Sequence, residues 1–185
     1  MARWEPDARA RLANSALDLY LERGFEQTTV ADIAARAGVT ERTFFRHFTD
    51  KREVLFDGTH SLQAGVLEAI AVAPEGSAYD IAGSALVTGS AFLEERGEFA
   101  GRRTRAITAN PELHERELLK LARLSAAIAE ALTERGTANP SARLAAEAAV
   151  SAFAAGFERW SGAGESPPLA ECIRAALAEL RRIVA

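Results

Sequence analysis

Apolar residues recur along this chain at intervals of three and four, the spacing that gathers side chains on one face of an α-helix. Near the start, Leu12, Ala16, Leu19 and Tyr20 share such a face. The alternation of apolar and polar residues that indicates a half-buried strand is missing, whereas the helix-favouring residues Ala, Leu, Glu and Arg are abundant. The pattern therefore predicts an all-α protein.

Capping residues and glycines indicate where the first helices begin and end. We predict a first helix from about Pro6 to Arg23, because proline is favoured at an initial helical position and Gly24 follows as a stop. Thr29 is a good N-cap residue, and Asp32 lies three positions later, where its side chain can reach back. These residues predict a short second helix that ends near residue 37.

The next segment predicts a third short helix and a longer fourth one. Thr40 can cap a helix that runs through His47. Asp50 and Glu53 have the spacing of a capping box, which predicts a fourth helix opening at about residue 51 and fading before Pro74. Further breaks divide the rest into about five more helices, nine in total; they fall at Gly97, at Asn110-Pro111, at residues 136–140 and at residues 162–168.

Length and composition limit the class of protein. The chain has 185 residues, 48% of them apolar, which is enough for a real core. No apolar run approaches the roughly 20 residues of a membrane span, and the first residues lack the apolar stretch of a secretory signal, so we expect a soluble, cytoplasmic protein. Because Cys172 is the single cysteine, no intrachain disulfide can form. No cofactor or metal site is expected.

The charge is distributed unevenly. The net charge is −4, yet residues 1–52 carry 9 basic and 8 acidic side chains, whereas residues 53–185 carry 13 and 18. The narrower window 36–52 has a local charge of +3. A contact with a polyanion such as nucleic acid is therefore expected near the N-terminus.

Residues 30–48 meet the physical requirements of a helix-turn-helix. Gly38 suits the sharp turn, and Ile33 and Phe44 lie where the two helices must bury apolar side chains against each other. Neighbouring residues on a helix point about 100° apart, so the adjacent Phe44 and Phe45 cannot both face one interior. We predict that Phe44 belongs to the core and that Phe45 faces outward.

The outward side of this helix carries residues suited to phosphate and base-edge contacts. They are Glu41, Arg42, Thr43, Phe45, Arg46 and His47. Helical hairpins without a DNA function share much of the pattern, so a helical interaction module is an alternative. An enzyme is disfavoured, because no H-E-x-x-H or G-x-S-x-G motif and no phosphate-binding glycine loop is present.

The segment ERGFEQTTVADIAARAGVTERTFFRHFTDKREVLF, residues 22–56, resembles the N-terminal domain of the TetR family of bacterial transcriptional regulators. The resemblance covers the G-F-x-x-T-T lead-in, the I-A-x-x-A-G-V core and the T-F-F-R-H-F recognition helix. It implies a DNA-binding domain over residues 1–52 and a ligand-binding and dimerisation domain over residues 53–185. It also implies a homodimer on a near-palindromic double-stranded operator, most often a repressor that a small-molecule effector releases. An activator or a ligand-independent regulator remains open.

Residue by residue, the resemblance implies a set of DNA contacts. Arg42 and Thr43 correspond to base-contacting positions. Phe45 stands where the family usually has tyrosine, so the hydrogen bond from the tyrosine hydroxyl to a phosphate cannot form here. Arg46 is expected to reach phosphate or base. Thr29, His47 and Lys51 correspond to positions that contact the DNA backbone. Arg36, in the basic window, is a further candidate for a DNA contact, with a solvated charged face as the alternative.

An apolar stripe runs along the last helix, and an alanine-rich stretch at residues 144–157 precedes it. Judged from the residues alone, both could pack within one subunit or form an oligomer interface. The resemblance implies that the last two helices, about 141–161 and 168–184, form the dimer interface. The residues expected there are Ala148, Ala152, Ala155, Leu169, Ile173, Ala176, Leu177 and Leu180.

The resemblance further implies a ligand cavity enclosed by helices four to seven. The candidates for its lining are His60, Tyr79, Phe92, Phe99, Arg103, His114 and Trp160. The sequence GRRTRA at 101–106 could clamp an anionic ligand such as a carboxylate or a coenzyme A thioester, although a solvated helix end is the simpler interpretation.

Overall fold

A computed structural model of the protein describes residues 8–56, 59–162 and 166–184. Over these ranges it contains α-helices and two short 3-10 helices, at Glu53–Phe56 and Ala91–Arg96, and no strand, so the all-α prediction is confirmed. The α-helices are α1 (Ala8–Arg23), α2 (Val30–Arg36), α3 (Glu41–His47), α4 (Thr59–Ala71), α5 (Ala78–Gly89), α6 (Gly97–Thr108), α7 (Pro111–Glu134), α8 (Asn139–Ser161) and α9 (Leu169–Val184). The predicted start of the first helix at Pro6 lies outside the described residues.

The predicted caps of the short helices are present. Thr29 and Asp32 form a capping box at the start of α2, in which the Thr29 hydroxyl oxygen accepts from the Asp32 amide at 3.1 Å. Thr40 caps α3 by accepting from the Thr43 amide at 3.2 Å. Gly38 has φ +67° in the turn between the two helices, a conformation that other residues adopt at a cost. The local chemistry therefore sets the boundaries of both helices.

The prediction of one long fourth helix opening at about residue 51 is wrong. Asp50 Oδ1 accepts hydrogen bonds from the amides of Arg52 and Glu53 at 2.8 and 3.1 Å, but these open the 3-10 helix Glu53–Phe56. All three residues 54–56 are buried, at 2% exposure or less. Three consecutive side chains point in different directions around such a turn, so all three are buried only because the rest of the unit surrounds the turn. The described part of α4 is Thr59–Ala71.

The contacts divide the chain into two compact units. The first contains the described residues up to 56 together with 102–115, and the second contains 59–101 and 116–184. Burial in the first unit centres on Leu12, Leu17, Ile33, Phe44 and Phe56. The second unit has one apolar core built from α4, α5, α7, α8 and α9. The domain division at residue 52 stays a prediction; the contacts group residues 53–56 and 102–115 with the N-terminal helices.

α8 and α9 lie very close together where the sequence is rich in small residues. A Cβ atom added to Gly156 would lie 2.7 Å from the Cα atom of Ile173, closer than real side chains approach. Gly156 therefore permits close packing of α8 and α9 within one chain. This agrees with the interpretation of the alanine-rich stretch as packing within one subunit. Within the described ranges, no helix combines the length and hydropathy needed to cross a bilayer.

Candidate nucleic-acid interface

The two adjacent phenylalanines of α3 face opposite environments, as predicted. Phe44 is fully buried, whereas 56% of Phe45 is exposed. Their rings meet edge to face, 5.4 Å apart, and Phe44 also lies 5.6 Å from Phe48. Phe44 thus anchors α3 to its own domain. More than half of the Phe45 side chain is exposed to solvent, so this aromatic surface contributes little to the core.

Two arginines accompany Phe45 on the exposed side of α3. Arg42 and Arg46 are both exposed, and neither forms an ion pair or a hydrogen bond with any residue that the structure describes. Thr43 is half-buried, and its hydroxyl lies 3.1 Å from that of Thr40. The side therefore presents two unengaged guanidinium groups around an aromatic ring, a combination suited to phosphate and base edges.

Thr29 is engaged within its own capping box. Its hydroxyl donates to Asp32 Oδ2 at 2.6 Å, and its amide donates to the same oxygen at 2.9 Å. These hydrogen bonds, with Arg23 also 2.5 Å from the carboxylate, lower the pKa of Asp32 below its usual value. A phosphate at the start of α2 must compete with this carboxylate for the Thr29 hydroxyl.

Lys51 lies inside the N-terminal unit. Its ammonium donates hydrogen bonds to the carbonyl oxygens of Phe25 and Thr28, at 2.9 and 3.0 Å. The Tyr20 hydroxyl donates to the Lys51 carbonyl at 2.5 Å, and burial raises the pKa of this tyrosine far above its ordinary value. One N–H of the ammonium is left for an external acceptor.

Arg36 is paired within the first unit. It donates two hydrogen bonds to the carboxylate of Glu22, at 2.6 and 2.8 Å, in the forked geometry that arginine and carboxylates favour. The hydrogen bond from Arg36 is the main reason why the pKa of Glu22 lies below its ordinary value. A DNA contact by Arg36 would have to share or break this pair.

His47 lies at the end of α3, half-buried. Its Nε2 atom is buried and finds no hydrogen-bond partner among the described residues, so this nitrogen does not face an external phosphate. The guanidinium of Arg9 lies 5.4 Å from the centre of the Phe48 ring. Sequence reasoning missed this contact between Arg9 and Phe48, because no motif connects α1 with the end of α3.

The residues predicted for the dimer interface divide into two groups. Ala152, Leu169 and Ile173 are buried within the chain's own core, so core packing accounts for them. Leu177 also packs inside the chain, and its Cδ atoms lie 3.0 Å from where a Cβ of Gly83 would be. The other members, Ala148, Ala155, Ala176 and Leu180, keep exposed surface. For them the interface stays a prediction.

The predicted ligand residues are distributed over both compact units. His60 and His114 are exposed and belong to different units. Arg103, in the first unit, donates from Nε to the Leu55 carbonyl at 2.6 Å, and its neighbour Arg102 is paired with Asp18. These two arginines of the GRRTRA stretch therefore have partners within the chain.

The aromatic candidates belong to the second unit. The Tyr79 hydroxyl donates to the Leu177 carbonyl at 2.8 Å. Trp160 lies 5.5 Å from the ring of Phe157, while Phe92 and Phe99 are half-buried. A groove of about 700 Å³ between α7 and α8 contains none of the predicted ligand residues in its lining. Sequence reasoning missed it, because its lining is mainly alanine and exposed glutamate.

Two family models match the chain. Residues 12–57 match the model for bacterial regulatory proteins of the tetR family. Residues 78–185 match the model for the MftR C-terminal domain. The first match covers the helix-turn-helix with Phe44, Phe45 and Lys51, and the second covers α5 to α9.

Similar curated proteins are transcriptional regulators. The HTH-type transcriptional regulator TcmR of Streptomyces glaucescens is 43% identical over 68 residues, which are 37% of this chain and 30% of that protein. BetI of Klebsiella pneumoniae, also an HTH-type transcriptional regulator, is 36% identical over 78 residues, 40% of either chain. The matched segments thus span less than half of the length of these relatives.

Solved structures resemble the chain over most of its length. FadR of Thermus thermophilus, a TetR family transcriptional repressor in complex with lauroyl-CoA, is 25% identical with a TM-score of 0.54, over 94% of this chain and 93% of that one. The fatty acid degradation regulator FadR of Bacillus halodurans, 18% identical with a TM-score of 0.62 over 92% and 96%, shares the fold. Since the C-terminal model alone covers more than half of the chain, this protein belongs to the TetR family of bacterial regulatory proteins.

Proposed function

We propose that this protein is a cytoplasmic, sequence-specific repressor that a small-molecule effector releases from its operator. The observation that carries the proposal is the exposed side of α3, where Arg42, Phe45 and Arg46 have no role in holding the fold. Fully buried Phe44 anchors α3 to its own domain and so fixes the orientation of this surface. A preorganised helix that presents unpaired cations is what recognition of a DNA groove requires.

The chemistry of the side chains suggests their tasks. α3 has seven residues and is about 10 Å long, so its first turn can enter a major groove while its end stays near the backbone. Arg42 in that first turn suits bidentate contact with a guanine. Phe45 offers its ring to the sugar-phosphate backbone and lacks a hydroxyl for phosphate. Arg46 is long enough for either target.

A homodimer on a near-palindromic operator is part of the proposal. Ala155 and Leu144 on α8 are exposed, the leucine by 66%, and Ile183 on α9 is exposed by 70%. Such apolar surface on neighbouring helices supports an interface with a second copy. Two recognition helices related by a two-fold axis would read half-sites about one helical turn of DNA apart.

Release by an effector is proposed from family membership and from the Thermus relative, which is a repressor in complex with lauroyl-CoA. An acyl-CoA ligand is not carried over to this chain. The arginines that the sequence offered for an anionic ligand, Arg102 and Arg103, bond to Asp18 and to the Leu55 carbonyl oxygen.

Selection of bound DNA from a random pool tests the proposal. We expect the protein to enrich a two-fold-symmetric sequence and the double variant R42A/R46A to lose that enrichment. The matched control R96A/R123A also removes two exposed arginines, both outside the N-terminal unit, and should keep it. Transcription in vitro from a promoter overlapping the selected site then distinguishes repression from activation. Failure of the wild type to enrich any symmetric sequence would contradict the proposal and favour an interaction module.

A further inference from the structure

A surface groove lies between the second half of α7 and the first half of α8. Its volume is about 700 Å³, within the range of small-molecule sites. The apolar part of its lining includes Ala122, Ala126 and Ala129, whose small side chains leave the space between the helices unfilled. The groove belongs entirely to the second compact unit.

The charged residues in this groove are not balanced. Arg143 and Glu147 form an ion pair of 3.2 Å and offset each other. Glu130 and Glu134 also line the groove, and neither carboxylate forms a hydrogen bond or an ion pair with any described residue. The uncapped start of α8 supplies roughly half a positive charge, which is too little to balance two carboxylates. The groove therefore has a net negative charge.

A largely buried serine also lines the groove. Ser125 is only 8% exposed, and its hydroxyl has no hydrogen-bond partner among the described residues. Other helical hydroxyls of this chain, such as that of Thr133, donate to the carbonyl oxygen one turn earlier. The Ser125 hydroxyl lines the groove and is free to hydrogen-bond a polar group of a ligand there.

We propose that this groove binds an elongated organic cation, a primary amine with an apolar body and a polar group at its far end. The ammonium would lie between Glu130 and Glu134, where it relieves the repulsion of two like charges four residues apart on one helix. The apolar body would cover the alanines. Ser125 lies about 7.5 Å along the helix axis from Glu130 and would bond the distal polar group.

The charge complementarity selects this occupant over an anion or a neutral amphiphile. An anion would face two unpaired carboxylates, and a neutral ligand would leave both without a counter-charge. The proposal goes beyond operator release and does not depend on it, because binding is measured on the free protein. A failed DNA selection and a failed cation titration are therefore separate results.

Calorimetric titration with three probes tests the charge selection. We expect octylammonium to bind with one site per chain, aminooctanol to bind more tightly, and octanoate not to bind. E130Q/E134Q should weaken octylammonium binding by about tenfold or more. E68Q/E75Q removes two exposed carboxylates of the same unit that lie outside the groove, and should change affinity by less than about twofold.

Two further variants test the polar and apolar parts of the site. S125A should weaken aminooctanol by several-fold and leave octylammonium unchanged, because only the first probe carries a distal hydroxyl. A126W should block all binding by filling the groove. Equal binding of octanoate, or unchanged affinity in E130Q/E134Q, would overturn the proposal. So would conversion of A126W to a species of lower mass in sedimentation equilibrium, since the groove would then be an interface between copies.

Discussion

The ammonium of Lys51 lies 4.1 Å from the centre of the Phe25 ring and donates a 2.9 Å hydrogen bond to the carbonyl oxygen of the same residue. A second hydrogen bond of 3.0 Å reaches the Thr28 carbonyl. The lysine thereby holds the turn between α1 and α2, with one N–H left over. A residue that the family resemblance assigned to the DNA backbone thus has a structural task as well.

Lys51→Ala should lower the free energy of unfolding by about 1–3 kcal/mol, because two charge-assisted hydrogen bonds and a cation–π contact are lost. If the third N–H reaches a phosphate, the variant should also weaken binding to every DNA sequence and reduce the salt dependence by about one ion. Urea unfolding and titrations over a salt series measure the two effects separately.

Arg123→Ala is the control, since it removes an exposed charge from the other unit. An unchanged salt slope in Lys51→Ala would remove the phosphate contact and leave only the structural task. Unchanged stability would show that the bonds to Phe25 and Thr28 contribute nothing measurable.

Phe45→Tyr should leave the free energy of unfolding unchanged and DNA affinity unchanged or higher. The ring is more than half exposed, so a hydroxyl can be solvated in free protein and can donate to a phosphate in the complex. Fluorescence anisotropy with the selected operator measures the affinity. A loss of fold in this variant would mean that the two phenylalanines have been assigned the wrong way round.

Phe44→Tyr is the matched change on the opposite side. Because Phe44 is fully buried, its new hydroxyl would lack water, and we expect a loss of about 1–3 kcal/mol in the free energy of unfolding. Chemical denaturation of both variants side by side provides the comparison. Equal stability of the two would contradict the burial on which this prediction rests.

The N-terminal helices were predictable because their signals are local. Thr29 and Thr40 cap through bonds to residues three positions away, and the period of a helix separates Phe44 from Phe45 without knowledge of the fold. The task of Lys51 was not predictable, because it depends on carbonyl groups 23 and 26 residues earlier. Only the tertiary structure brings that ammonium to them.

The C-terminal predictions show a second limit of the sequence. The spacing of Leu169 and Ile173 indicates an apolar face but not what covers it, and in the structure both pack into the chain's own core. Aromatic or charged character makes a residue a candidate for ligand contact but says nothing about where a cavity lies. The groove beside Ser125 depends instead on small side chains, and these carry a weak sequence signal.

Gly156→Ala should destabilise the protein by about 1–3 kcal/mol or more. The new methyl group would lie 2.9 Å from the Cys172 carbonyl oxygen and closer still to the backbone of Ile173, so α8 and α9 would have to separate. Thermal unfolding measures the loss. Gly76→Ala is the control, because its methyl group would meet only the Ile81 side chain, at 3.9 Å. Equal melting temperatures would contradict the close approach.

Asp32→Asn should reduce the loss of stability in acid. The pKa of Asp32 lies below 3.8 in the folded protein because Thr29 donates to its carboxylate. Its contribution is therefore present above pH 3.8 and disappears as the pH falls through the folded pKa. Urea midpoints measured over about pH 2 to 7 should fall less steeply in the variant. Glu26→Gln, at an exposed position, is the control. If the urea midpoint of Asp32→Asn fell with decreasing pH as steeply as that of the wild type, the prediction would be contradicted.

Arg42→Ala should weaken operator binding by about 1–3 kcal/mol and relax the preference at one base pair of each half-site, if the side chain reads a guanine. Its stability should not change, since Arg42 is exposed and bonds to no described residue. Arg36→Ala is the matched comparison: that guanidinium already binds Glu22, so we expect a smaller loss of affinity and no change in base preference. Affinities for operators substituted one base pair at a time measure both. A uniform loss across all of them in Arg42→Ala would assign this arginine to the DNA backbone.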